Sequence, residues 1–353
     1  MTTGTVAAGS VRAPRVTVPW LLAGLATMVA ATVAGLVVGP VALSPWAVVR
    51  EVADHLPGIH VESGLSEQQA GIVWQLRLPR VVLGLLVGAS LALAGGSYQG
   101  AFRNPLADPY LLGAGAGAGL GATLAIVAGS GGEAGAPVPL AAFVGALLAV
   151  TLTYVLGGAA GKARSPATLI LAGVAIASLF TAVQAFVQQR QSDTVREVYL
   201  WILGRLTTAS WSEVRLLVPY VGVTSAVLLA FRRVLDVLAL GDDETTALGL
   251  SPVVVRAIVV VAASLLTAAT VAVSGLIGFV GIIVPHTVRL LTGASYRTIL
   301  PLSMFFGAAF LCLADLLARL ALSPAEIPIG VVTAFFGAPF FLVVLRTSRR
   351  LAA

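Results

Sequence analysis

Residues 257–288 read AIVVVAASLLTAATVAVSGLIGFVGIIVPHTV, a run of 32 residues without one charged side chain. As a single helix rising about 1.5 Å per residue it would measure about 48 Å, against a bilayer hydrocarbon core of about 30 Å. Ser274-Gly275 and Gly278 put a break signal inside the run, so it predicts two membrane helices. The same reading repeats outward from it. Uncharged stretches lie at 21–49, 81–102, 110–132, 134–161, 165–189, 216–231, 298–314 and 327–345, most of them one crossing long. The chain therefore predicts an all-α membrane protein with about ten transmembrane helices. Composition agrees: of 353 residues 58% are hydrophobic and 10% charged, where a soluble domain carries about 25% charged residues. A soluble fold is excluded.

Arg12 and Arg15 precede the first stretch like the charged start of a signal peptide. The stretch is longer than a signal peptide's apolar region and no convincing A-x-A site follows, so it reads as the first membrane helix. The expected organisation is a tail over 1–18, a single transmembrane domain over 19–346 and a second tail over 347–353, with an outer loop at 50–80 and a cytoplasmic segment at 232–256. With the N-terminus in the cytoplasm, ten crossings leave most basic residues inside, among them Arg103, Lys162, Arg164, Arg232, Arg233 and Arg256. The positive-inside rule supports that orientation and a cytoplasmic C-terminus. The net charge of +6 comes from scattered arginines with no block of like charge, a pattern of topology signals that excludes nucleic acid as a partner. Cys312, the single cysteine, rules out an internal disulfide and a Cys-based metal site.

The segment RRVLDVLALGDDETTALGLSPVVVR at 232–256 has an apolar pattern too short to span, interrupted by Gly241, Gly249 and Pro252. It predicts two short helices lying against the cytoplasmic face. Chemistry of the usual kinds is missing. The only Gly-Lys pair, Gly161-Lys162, has Leu156 where a phosphate-binding loop needs its first glycine and Ala163 after the lysine. His55, His60 and His286 are too scattered for a metal cage. No catalytic or metal-binding residue is expected. Ionisable residues inside apolar stretches are the better pointers. Asp315 and Arg319, four apart, form either a structural ion pair or a proton relay. Gln184 and Gln188 make a polar stripe that lines a wet pathway or hydrogen-bonds to a neighbouring helix.

The block Leu76-Arg77-Leu78-Pro79-Arg80, the run Gly88-Ala89-Ser90-Leu91-Ala92-Leu93-Ala94-Gly95, Gln99, and Arg103-Asn104-Pro105-Leu106-Ala107-Asp108-Pro109 resemble the permeases of ABC importers for ferric siderophores, haem and vitamin B12, the FecCD-like permeases with the type II importer fold. Trp201-Ile202-Leu203-Gly204, Leu238-Ala239-Leu240-Gly241, Gly278-Phe279-Val280-Gly281, Ala314-Asp315 with Arg319, and Glu326-Ile327-Pro328-Ile329-Gly330 through Thr333 continue the likeness in order along the chain.

The resemblance implies a permease working in the bacterial cytoplasmic membrane as a homodimer, or beside a paralogous permease. Two cytoplasmic ATPase subunits would carry the ATP and Mg, so this chain would bind no cofactor and be no enzyme. An extracytoplasmic substrate-binding protein would deliver the cargo, a ferric siderophore first, with haem and cobalamin as alternatives. The likeness maps ATPase coupling onto Leu235, Leu238, Leu240, Gly241, Leu248, Gly249 and Leu250, and binding-protein docking onto Arg77, Arg80 and Arg319. For Arg77 and Arg80, anchoring of the helix end is the alternative reading. Gate and pathway fall on Asn104, Leu106, Ser165, Gln184, Gln188 and Thr333, with Ser165-Pro166-Ala167 departing from the usual pattern. No specific contact is assigned to Asp242, Asp243 or Glu244, which could equally form a solvated face. An ion-coupled carrier, the rival from a different class, would need a carboxylate near the membrane centre.

Overall fold

A computed structural model describes residues 18–39, 41–55, 58, 60–130, 137–159 and 166–351, and these contain helices but no β-strand. Seven helices are long and apolar enough to cross a bilayer, and three more are apolar but shorter, which matches the ten expected. In chain order the helices are α1 (Val18–Val37), α2 (Pro45–Asp54), α3 (Glu67–Gly71), α4 (Leu78–Phe102), α5 (Ala114–Ala125), α6 (Pro137–Ala159), α7 (Pro166–Arg190), α8 (Val195–Ile202), α9 (Trp211–Ala230), α10 (Arg232–Leu238), α11 (Asp242–Ala247), α12 (Pro252–Ser274), α13 (Val280–Thr292), α14 (Tyr296–Leu320) and α15 (Ile329–Leu351).

Two segments differ from the sequence expectation. The uncharged stretch 21–49 does not form one helix: α1 ends at Val37 and Pro45 opens the separate, charged helix α2. Pro45, which favours the first turn of a helix, sets the start of α2. The stretch 50–80 is largely helical. Ser66 and Gln69 form a reciprocal capping box that starts α3, and a π turn over Ile72–Arg77 carries the chain into α4. The result is one 36-residue helix, Glu67–Phe102.

α4 is the axis of the bundle. It packs against α9, α12, α13 and α14, and every residue from Ser90 to Phe102 is buried. Among lipid tails there is no hydrophobic gain in pairing helices, so close approach and internal hydrogen bonds do the holding. A Cβ on Gly95 would lie 2.0 Å from the Gly281 carbonyl oxygen, so the two backbones touch. Nearby, the Gln99 amide donates to that carbonyl at 3.2 Å, and the Tyr98 and Ser264 hydroxyls share a hydrogen bond of 2.6 Å. α5 and α6 also meet through backbone contacts, as the small-residue spacing of the glycine-rich α5 predicts.

The 257–288 run breaks where Ser274-Gly275 and Gly278 predicted. α12 stops at Ser274, Gly275 turns with φ 68°, and α13 begins at Val280 behind Phe279, which also has positive φ. Irregular backbone at membrane depth survives only where protein satisfies it. Here the Arg205 amide donates to the Ser274 carbonyl at 2.8 Å, and the Tyr110 hydroxyl donates to the Ile277 carbonyl at 3.1 Å.

Gly95→Val places branched carbon inside the α4–α13 contact and should destabilise the protein by about 1–3 kcal/mol or more, whereas Gly222→Ala, with open space around it, should be neutral. Thermal unfolding in detergent reads the difference, and equal midpoints would remove the contact from the fold's essentials.

Candidate functional site

Functional geometry gathers at the two ends of α4. At its C-terminal end, Arg103 closes the helix in the left-handed conformation with φ 49°. The turn that follows is held locally: the Asn104 carboxamide oxygen accepts from the Leu106 amide at 3.0 Å, and the Asn104 amide donates to the Gln99 carbonyl at 3.1 Å. Asn104 and Leu106, the expected gate residues, thus sit in a turn clamped to α4.

The segment expected to form two surface helices does so, as α10 and α11, and its last residues enter α12. Leu235 and Leu238 are fully buried and root α10 in the bundle, while Leu240 (68% exposed) and Leu248 (62%) face outward. Gly241, Gly249 and Leu250 shape the turns around α11, Gly249 with φ 80°. Asp236 accepts from the Ser295 hydroxyl at 2.8 Å and the Tyr296 amide at 2.5 Å, so α10 caps the first turn of α14. Asp242 pairs with two arginines: with Arg103, and with Arg256 at 3.1 Å. Arg256 in turn donates to the Ala101 carbonyl at 2.9 Å. One carboxylate therefore joins α11 to the end of α4 and the start of α12. Sequence reasoning missed Asp242 because neither arginine is a near neighbour of it in the chain.

At the other end, Arg80 donates through Nη2 to Asp315 at 2.8 Å and to Glu326 at 2.8 Å, and Arg319 Nε lies 3.1 Å from the second Asp315 oxygen. Asp315 and Arg319 thus form an ion pair, extended by Arg80 and Glu326. Arg77 donates to the Leu36 and Val37 carbonyls at 2.9 and 3.0 Å and also to that of Val41. Arg319 donates to the Gly35 carbonyl at 3.1 Å. Apart from that of Val41, these are the carbonyls that the end of α1 leaves without helical partners, and a cation is the favourable neighbour for them. The expectation of three rim arginines needs correcting for this structure. Arg77 (6% exposed) and Arg319 (4%) are interior groups, leaving Arg80 beside the part-exposed Glu326.

The expected pathway residues on α7 and α15 make local contacts. The Gln184 amide donates to Thr123 Oγ1 at 3.1 Å and is buried against α5, the helix-to-helix bond that was the alternative reading. Gln188, one turn on, is half-buried. Thr333 is fully buried and donates to the Gly330 carbonyl. Ser165 lies outside the described residues. A cavity of about 650 Å³ opens elsewhere, near the Arg80 end, between α6, α8, α9 and α12.

Residues 27–347 match the FecCD transport family. The chain belongs to that family. A cobalamin import system permease protein BtuC of Halobacterium salinarum is 43% identical over 81% of this chain and 76% of its own length. The Fe(3+) dicitrate transport system permease protein FecD of Escherichia coli is 38% identical over 80% of this chain and 88% of its own. A solved inward-facing structure of a metal-chelate type ABC transporter superposes with a TM-score of 0.80 at 32% identity, covering 93% of this chain and 99% of that one. The FecCD chain is thus a multi-span permease of an ABC importer with the type II permease fold.

Within this FecCD permease, Asp315→Asn leaves the buried Arg319 without its counter-charge, while Arg80 keeps Glu326. Breaking a buried pair from one side should lower stability by about 3–5 kcal/mol, and Glu326→Gln, at the 30% exposed carboxylate, by less than about 1 kcal/mol. Unfolding midpoints of the purified protein decide it, and a stable Asp315→Asn variant would show that the arginines are neutralised by something else.

Proposed function

We propose that two copies of this chain form the membrane path of a binding-protein-dependent importer in the cytoplasmic membrane, with both termini in the cytoplasm. Two ATPase subunits dock on α10 and α11, carry the ATP and Mg, and do the hydrolysis. The observation that carries this reading is the wiring of the surface helices: Asp236 ties α10 to α14, and Asp242 ties α11 to α4 and α12. A push on the exposed Leu240 and Leu248 would pass directly to the helices that run to the opposite face.

On that opposite face the loaded binding protein docks around Arg80, where an acidic residue of the partner would compete with Glu326 for the guanidinium. The opening and closing of the path then follows from motion of α4 and the Asn104 turn. The cargo is a bulky metal chelate. Ferric siderophore is the reading implied by the sequence resemblance, and the relative named for cobalamin import supports the corrinoid as a second. Uptake of radiolabelled ferric siderophore and of labelled cobalamin by cells carrying or lacking this chain separates the two.

Replacing both Leu240 and Leu248 with Asp should leave a folded permease, because both side chains are exposed, yet abolish co-purification of the ATPase. An ATPase retained at one per permease would overturn the docking assignment. Asp242→Asn should keep the ATPase bound while reducing cargo transport per ATP by at least about fivefold, the loss expected when a coupling contact of ordinary strength is removed. Proteoliposome transport with parallel ATPase measurement checks it.

A further inference from the structure

The short helix α2 turns an apolar face away from the protein. Its inner face is fixed: Val48 is buried in one cluster with Val73 of the π turn, and the His55 ring stacks on Trp74 at 3.8 Å. On the other side Trp46 is 62% exposed and Val49 43%, and Ala53 continues their row at helical spacing. The charges stand at the margin of that row, where Arg50 follows Val49 and Asp54 follows Ala53. A helix surrounded by water would carry polar residues across its outer face. α2 instead presents an apolar strip bordered by charge.

The place of α2 in the fold says what covers the strip. α1 is a spanning helix whose 20 residues rise about 30 Å, the thickness of the hydrocarbon core. Its outward face carries Val29 and Val33, and exposed valines continue at Val38 and Val41 into α2. No charged side chain lies between Arg15 and Arg50. Arg77 gathers the Leu36, Val37 and Val41 carbonyls, so the connection stays at the end of α1 and α2 begins where α1 leaves the hydrocarbon. The lipid-facing surface of α1 is thus continuous with the outer face of α2.

The residues on the strip suit that depth. Tryptophan is enriched at the boundary between hydrocarbon and water. The Arg50 guanidinium lies over the Trp46 ring, 5.3 Å from its centre, and pairs with no carboxylate among the described residues, while Glu51 lies beside His55 and Asp54 accepts from the Val61 amide. An arginine stem laid along apolar surface carries its charge to the head-group layer, where phosphate is the oxyanion its fork matches. We propose that α2 lies in the head-group layer of the leaflet at the Arg80 end, with Trp46 and Val49 against the upper acyl carbons and Arg50 on a phospholipid phosphate.

The test uses the full chain with its co-purifying subunits, in vesicles of dioleoylphosphatidylcholine and dioleoylphosphatidylglycerol. Cys312→Ala removes the native thiol, and Val49→Cys, Arg50→Cys or Asp54→Cys carries a single spin label. Relaxation by oxygen, which concentrates in the bilayer, and by a nickel chelate, which stays in water, gives the depth of each label. The label at 49 should lie about 5–10 Å inside the head-group boundary, the depth of an interfacial helix, with the label at 54 in water and the label at 50 between them. Should Val49→Cys fail to assemble, Trp46→Cys reads the same face. Nickel reaching 49 as freely as 54 would mean a helix in water and overturn the proposal. A label at 49 shielded from both relaxers would mean that protein covers the strip, a second copy or another subunit, and would overturn it too. A label at 50 as deep as that at 49 would overturn the phosphate assignment.

Discussion

The antiparallel pairing of α4 with α14 is the contact on which the rest of the molecule hangs. Both helices are packed along most of their length, and each end of the pair is locked by charge: Arg80 with Asp315 at one, and α10 between them at the other, with Leu235 against Gly100 of α4 and Asp236 capping α14. Because lipid gives helices no apolar reason to associate, such end-locks and the backbone contact at Gly95 set the geometry. α9, α12 and α13 are then laid around this pair, while α1 and α7 stay at the periphery with most of their side chains turned away from the core.

The arginines show how one residue type serves different ends of the same fold. Arg77 and Arg319 neutralise the negative end of α1, where several carbonyls lack helical partners. Arg103 and Arg256 converge on a single carboxylate at the start of α11. At the opposite face, Arg80 sits where an interior network meets a part-exposed acid. The same guanidinium that fastens α4 to α14 thus also holds a carboxylate at the surface.

The helices that cross the membrane were legible because apolarity and length are local properties, and the α12–α13 break was legible because glycine and serine mark it in the chain. α2 and α8 were not read: each is short and mixes charge with apolar residues, so its helicity depends on the surface it lies against. The surface helices α10 and α11 were readable from their apolar pattern, yet the role of Asp242 was not, since its arginines come from elsewhere in the sequence and only the folded bundle brings them together. Gln184 illustrates the same limit. A glutamine on an apolar helix announces that it needs a partner, and only the packing of α5 against α7 decides that the partner is Thr123.

The helix Glu67–Phe102 has a mechanical consequence. Its 36 residues make a rod of about 54 Å, well beyond the thickness of the hydrocarbon core. A rod of that length pivoting about the Gly95 contact acts as a lever of the first kind with unequal arms. The fulcrum sits about 10 Å from the Arg103 end and about 40 Å from Glu67, so a shift of about 1 Å at the short arm sweeps the far tip by about 4 Å. On such a lever, a small stroke at the Arg103 end is geared up into a larger displacement at the Glu67 end.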